Sequence, residues 1–223
     1  MSGFKNKESQ SMWTEKYRPK CLDDLIISDT VKRAGERIIK IGKVQNLLLH
    51  GSYGVGKTSF AEIIMKTLNL QARTIKSRHQ SEVREMYKLS AATSVTGLKF
   101  TGYIDEADQL RQDAQKEMLR YLEGYDTAIQ STILVANDVD KIHKGIRSRV
   151  KELDFNLQEK DLARCTEKLR DRIVVILNAE GVIYKDADIQ GFTEEFFTDN
   201  NDIRKVINEL QGSVNEANEL VPL

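Results

Sequence analysis

The chain reads as an α/β protein, a parallel five-stranded sheet flanked by helices and followed by a small helical lid domain. Three observations predict this. Five short apolar runs alternate with helical patterns over the first 155 residues, the strand signal then stops, and a glycine-rich turn joins the first run to a helical pattern. Alternation of strand and helix needs crossover connections, which give a mostly parallel sheet covered on both faces.

The five runs are Asn46 to Leu49, Arg73 to Lys76, Lys99 to Ile104, Ser131 to Ala136 and Val150 to Phe155, each bounded by turn signals. Thr101 and Gly102 interrupt the third, where a continuous hydrophobic strand is expected. Between the runs, Phe60, Ile63, Ile64 and Leu68 recur at three-and-four spacing, as do Val83, Met86 and Tyr87, and then Ala114, Met118, Leu119 and Leu122. That spacing puts each set on one helix face, and the first set reads as core. From Asn156 to Leu210 the pattern is helical, broken near Glu180-Gly181 and from Thr198 to Asp202. Residues 1–155 are therefore assigned to the α/β domain, 156–212 to the lid and 213–223 to a C-terminal tail. A length of 223 residues suits one full core with a smaller appended domain.

Composition excludes several classes. With 40% hydrophobic and 30% charged residues the chain lies outside the disordered range. Apolar runs of only a few residues and a polar N-terminus predict neither a spanning helix nor a secretory signal, hence a soluble, intracellular protein with no membrane partner. Cys21 and Cys165 stand far apart, which argues against zinc and a disulfide framework, and His50, His79 and His143 lack metal-ligand spacing. Thirty-four basic residues against thirty-four acidic ones exclude a globally basic nucleic-acid binder. The charge is nonetheless polarised. Lys141 to Lys151 carries five Lys/Arg and no carboxylate, whereas Asp186 to Leu223 carries nine Asp/Glu against Arg204 and Lys205.

The chemistry begins at Gly51-Ser52-Tyr53-Gly54-Val55-Gly56-Lys57-Thr58, which satisfies G-x-x-x-x-G-K-[ST], follows a strand and opens a helix with Ser59 in its first turn. Glycines there allow a tight turn that points backbone N–H groups inward. The following helix adds its positive N-terminal end, so the loop suits phosphate. Lys57 can neutralise the β- and γ-phosphates, and the Thr58 hydroxyl can ligate Mg²⁺ between them. Tyr103-Ile104-Asp105-Glu106 then ends the third strand in two acids. In a Walker B element the first, Asp105, positions the Mg²⁺ shell, and the second, Glu106, polarises the attacking water as general base.

With both motifs in place the chain resembles the AAA+ ATPases, and within them the small subunits of sliding-clamp loaders of the replication factor C and phage type, from roughly Met12 to Leu210. Trp13-Thr-Glu-Lys-Tyr17-Arg18-Pro19 looks like that family's N-terminal signature, which implies contacts of Tyr17, Arg18 and Pro19 beside the adenine of ATP. Asp113 to Glu123 is similar to the central helix, whose glutamine, matching Gln115, couples DNA to the ATP site. The resemblance further implies that Asn137 is sensor 1, orienting water near the γ-phosphate, and that Arg149 is a finger inserted into a neighbouring subunit's site. Val150 stands where the family's Ser-Arg-Cys motif has cysteine, and Gly145 where it usually has proline. Asp202 to Leu210 is similar to the sensor 2 helix, so that Arg204 would reach the γ-phosphate from the lid. Arg78, Arg84 and Lys88 keep the spacing of DNA-facing cations, although the family's Asn-Ala-Ser-Asp is absent. Such cations would neutralise phosphates without reading sequence.

The implied protein is an ATP- and Mg²⁺-dependent ATPase subunit that joins other clamp-loader subunits, opens a sliding clamp and places it on primer-template DNA. Its expected location is the bacterial or phage-infected cytoplasm, or the nucleus in a eukaryote. Two other classes fit the same motifs: a different AAA+ DNA-processing ATPase, such as a helicase loader or branch-migration motor, and a subunit that holds ATP without catalysis. The family also continues into a helical collar, which the residues after Leu210 are too few to supply.

Overall fold

The computed structural model describes residues 12–75, 80–93, 100–122, 129–198 and 201–221. Five strands, β1 (Leu47–His50), β2 (Ala72–Ile75), β3 (Phe100–Ile104), β4 (Ile129–Ala136) and β5 (Lys151–Asp154), form one sheet in the order β2-β3-β4-β1-β5, with every pairing parallel. The predicted α/β architecture is therefore present, with strand ends within two residues of those read from the apolar runs.

Both faces of β1 are covered, as a parallel sheet demands. Leu47 and Leu49 pack with α2 (Asp29–Ile41) and α3 (Lys57–Thr67), through Val31, Ile38, Phe60 and Ile64. Leu48 faces the other way, toward Val83 and Tyr87 of α4 (Gln80–Thr93) and Ala114 and Met118 of α5 (Gln112–Leu122). All three leucines are fully buried, and each such side chain contributes roughly 1.5–3 kcal/mol of transfer free energy. The three helical faces read from spacing are thus the faces that cover the sheet.

The expected interruption of β3 is accommodated rather than avoided. The strand is buried at all five positions. A Cβ on Gly102 would come within 3.2 Å of Met86 Cε, so the absence of a side chain admits α4. The Thr101 hydroxyl meets Ser131 Oγ on β4 at 3.3 Å, which satisfies both polar groups inside the sheet.

Beyond β5 the chain is helical. α7 (Glu159–Glu180), α8 (Asp186–Thr198) and α9 (Ile203–Gly212) enclose Leu169, Ile173, Phe192, Phe196 and Leu210. Gly181, at φ +68°, ends α7 in the left-handed conformation that glycine adopts without penalty. None of the described helices is long and apolar enough to cross a membrane.

The short helix α1 (Trp13–Lys16) and the segment after it cross over to this helical unit. Trp13 and Ile26 lie in its core, not in that of the sheet. The Trp13 N–H donates to Gln211 Oε1 (2.9 Å), and the Tyr17 hydroxyl and Lys16 Nζ both donate to Glu180 Oε1 (2.6 Å each). Arg164 Nη2 donates to the Ile27 carbonyl (2.8 Å). At the other end, Leu220 is buried in the same core, and its N–H donates to the Ile183 carbonyl (2.9 Å), binding residues of the tail to the lid. Residues 12–27 act as a strap between the two units.

Candidate functional site

A cavity of about 540 Å³ opens where the strap, the C-terminal edge of the sheet and the lid meet. Its floor is the loop between β1 and α3. Gly51, Gly54 and Gly56 have φ of +139°, +69° and +94°, values that an L side chain rarely adopts. The loop also has no room for one: a Cβ on Gly54 would lie 1.7 Å from Asp202 Oδ1, a residue of the lid. The seven loop and helix residues from Tyr53 to Ser59, Gly54 and Val55 included, line the cavity, whereas Gly51 and Ser52 are not part of its lining. Val55 is anchored in the core and Tyr53 is exposed.

Lys57 is only 5% exposed. Its Nζ donates to the carbonyls of Gly51 (2.7 Å) and Ser52 (2.5 Å). Burial pushes its pKa down from the ordinary lysine value to about 8, against the pull of Asp105, Asp108 and Asp202, and with Arg204 acting in the same direction as burial. The Thr58 hydroxyl donates to Asp105 Oδ2 at 3.3 Å. The Tyr103 hydroxyl donates to the same oxygen at 3.1 Å, and burial, followed by Asp105, raises that phenol well above its usual range. Asp105 is thus oriented by two hydroxyls beside Thr58, a hard-oxygen pair that fits Mg²⁺. A loop that only glycine can build, a buried ammonium and this oxygen pair fit a nucleoside triphosphate with its divalent ion.

Glu106 stands one residue on, with φ +51° and ψ +44°. A non-glycine residue in this region costs of order 1–2 kcal/mol, and such strain clusters at functional positions. Asn137, just beyond β4, lines the same cavity, and its N–H donates to Asp108 Oδ1 (3.3 Å). Arg204 enters from α9 and lines it too. Tyr17, Arg18 and Pro19 line the strap side, where Arg18 Nη2 pairs with Glu62 Oε1 of α3 at 3.1 Å and Arg172 Nη2 donates to the Tyr17 carbonyl (2.5 Å). Lys57, Thr58, Asp105, Glu106, Asn137 and Arg204 are therefore brought together.

Arg149 is not. It is exposed after α6 (Lys144–Arg147), outside the cavity lining, and its Nη1 donates to the Gly145 carbonyl (2.9 Å) and to Ser148 Oγ (3.1 Å). Buried Gln115 connects α5 to the segment leading there. Its Nε2 donates to the carbonyls of Leu110 (3.2 Å) and Lys141 (3.0 Å), and its Oε1 accepts from the His143 N–H (2.7 Å).

The run from Lys141 to Lys151, free of carboxylates in sequence, is not so in space. Arg147 forms a two-pronged pair with Glu152 (2.8 and 3.1 Å) and lies 3.5 Å from Asp140, while Lys141 lies 3.4 Å from Asp138. The Arg147 hydrogen bond holds the Glu152 carboxyl below its usual range. Of the predicted DNA contacts, Arg78 lies outside the described residues. Lys88 is exposed on α4. Arg84 is not a solitary surface cation: its Nε and Nη2 donate to both oxygens of buried Glu117 (3.1 and 3.4 Å), because α4 and α5 pack side by side. Sequence reasoning missed Glu62, Arg172, Asn156 and Asp202 as neighbours of the site. Only Asp202 carried a signal, as the cap of α9, where its side chain accepts from the Lys205 N–H.

Residues 47–157 match the family described as ATPase family associated with various cellular activities (AAA). The chain is 33% identical over 216 residues to replication factor C small subunit 2 of Pyrobaculum islandicum, covering 91% of this chain and 63% of that protein. It is 30% identical to the replication factor C small subunit of Archaeoglobus fulgidus, covering 92% and 65%. It thus spans somewhat under two thirds of the length of these relatives. In fold it is similar to the RuvB Holliday junction branch migration motor of Thermotoga maritima, with TM-score 0.67, 20% identity and coverage of 89% of this chain and 65% of that one. The family match, these relatives and the phosphate-loop geometry agree: the chain is a member of the AAA family of ATPases.

Proposed function

We propose that the chain is an ATP-hydrolysing subunit of a DNA sliding-clamp loader, which in an ATP-bound oligomer opens the clamp, places it on primer-template DNA and releases it on hydrolysis. The observation that carries this reading is the division of the site. Lys57, Thr58, Asp105, Glu106, Asn137 and Arg204 share one cavity, while Arg149 stands exposed elsewhere on the chain. The likeness to replication factor C small subunits supplies the clamp-loader context.

In this reading the loop N–H groups and Lys57 hold the β- and γ-phosphates of ATP, and Thr58 and Asp105 would hold Mg²⁺, which would neutralise phosphate charge there. Glu106 takes the proton of the attacking water, which Asn137 orients. Arg204 grips the γ-phosphate from α9, so that ATP clamps lid to sheet. Tyr17, Arg18 and Pro19 border the base. Arg149 of one subunit completes the site of the next, which makes turnover depend on assembly. Lys88 and Arg84, with Arg78, face the DNA. The partners are the clamp, primer-template DNA and further loader subunits, and the setting is cytoplasmic or nuclear.

A phosphate-release assay with clamp and primer-template, each omitted in turn, tests this. Stimulation by both is expected. Turnover indifferent to the clamp, together with no direct binding to it, would instead favour another AAA+ DNA-processing role.

A further inference from the structure

We infer that Asn156 is a positioning residue for the phosphate loop, joining that loop to the point where the lid begins. The inference rests on the nucleotide site proposed above. Asn156 lies between β5 and α7, so the path of the chain into the lid passes through it. Its Oδ1 accepts two hydrogen bonds from Ser52, one from the backbone N–H (2.9 Å) and one from the hydroxyl (3.0 Å). Its own N–H is fixed by Asp154 Oδ1 (2.9 Å), and one residue earlier the Phe155 N–H donates to the His50 carbonyl (2.8 Å). The pairing of β1 with β5 thus continues past its last backbone bond through a side chain. Gly51 permits the approach, since a Cβ there would lie 3.1 Å from both the Asn156 N and Oδ1.

The consequence reaches the ligand through Ser52. With its N–H and hydroxyl held by Asn156, the Ser52 carbonyl is presented to Lys57 Nζ, which it shares with the Gly51 carbonyl. A phosphate that draws Nζ forward shifts the balance of bonds on Ser52, and Asn156 feels that shift at the root of the lid. At the start of the last lid helix the cap of α9, Asp202, abuts Gly54 of the same loop. The lid therefore meets the phosphate loop at two points, and Asn156 is the one held by hydrogen bonds.

The test uses the whole chain with Mg²⁺ and ATP alone, in the parent and in Asn156→Ala, Ser52→Ala and the double variant. Losing two neutral hydrogen bonds of about 0.5–1.5 kcal/mol each predicts about tenfold weaker ATP binding for Asn156→Ala, and about threefold for Ser52→Ala. The double variant should match Asn156→Ala, because the asparagine acts through the serine. Without nucleotide, amide exchange in residues 50–56 should quicken in Asn156→Ala. At saturating ATP the loop should be protected in both proteins, but residues 155–160 in the parent only. Unchanged loop exchange and affinity in Asn156→Ala, penalties that multiply, or junction protection that survives the substitution would each overturn the inference. Should Asn156→Ala fold poorly, Asn156→Ser, which keeps an oxygen acceptor, should give intermediate values, and parent-like values would overturn the inference. A parent chain that binds no ATP refutes the nucleotide reading instead, while nucleotide-free exchange still reports on the Asn156–Ser52 link.

Discussion

The phosphate loop and the loop carrying Arg149 both present positive charge, yet they are built in opposite ways. The first is made of backbone N–H groups and a buried lysine, closed in by the strap, Asp202 and Asn156. The second holds one long guanidinium at the surface by a carbonyl and a hydroxyl of its own loop. A site of the first kind is complete within one chain. A charge of the second kind stands exposed outside the cavity of its own chain, where another surface can reach it. The difference supports the proposed division of the reaction: nucleotide capture in the single chain, charge neutralisation during cleavage between chains.

The largest effect should come from breaking the second region. Arg149→Ala is expected to lower ATP turnover of the assembled protein by roughly 10³-fold or more, since a finger arginine stabilises charge spreading over the transferring phosphoryl group. Its ATP affinity as an isolated chain should not change. Steady-state phosphate release beside equilibrium binding checks both, and normal turnover in this variant would place the whole site in one chain.

Next in size is Glu106→Gln, which acts inside the first region but on the same step. Loss of a general base predicts a fall of roughly 10²–10⁴-fold in kcat with nucleotide binding retained. Weakened binding would mean that Glu106, at its strained φ of +51°, shapes the loop rather than the water. Gly54→Ala inverts the pattern. The substitution asks a side chain to adopt φ +69° and to occupy space 1.7 Å from Asp202 Oδ1, so ATP affinity should fall about a hundredfold, equivalent to ~2.7 kcal/mol. Gly54→Ala combined with Asp202→Ala should recover part of that loss, because one of its two causes is then removed.

The two regions also differ in how far the amino-acid sequence disclosed them. The phosphate loop, the acids after β3 and the five strands were all readable because each is a local pattern: glycine spacing, a strand end, an apolar run. Gly102 in β3 read as a flaw, since its reason, Met86 on α4, is distant in the chain. Trp13 and Ile26 were assigned with the sheet because they precede it, but they pack in the lid, and no periodicity in a short irregular strap records that. The link between Ser52 and Asn156 spans 104 residues, and that between Trp13 and Gln211 spans 198. Arg147 read as part of a bare basic run because Glu152 lies one residue past its end, on the neighbouring strand. Pairings made by the fold leave no trace in spacing.

The smallest effect separates the regions by proton. Burial holds Lys57 near a pKa of about 8, and it faces Asp105, Asp108 and Asp202 with Arg204 opposing them. A bound triphosphate adds negative charge beside Nζ and raises that pKa, so binding above pH 8 must take up a proton. Affinity should be flat below about pH 8 and fall as pH rises, by up to about tenfold per unit. Folding carries the opposite sign. The unfolded lysine titrates at its ordinary value of 10.5 and the folded one lower, so between these values the unfolded chain binds more protons and this group's contribution to stability rises with pH. Affinity loss between about pH 7.5 and 9 is therefore expected without a matching loss in thermal stability from this lysine. Calorimetry in buffers of different ionisation heat should register proton uptake on binding at the upper pH. Arg149→Ala should give the same profile, since a guanidinium keeps its proton throughout. A flat profile in the parent would mean either that Lys57 stays charged across the range or that the loop holds its ligand through backbone groups alone.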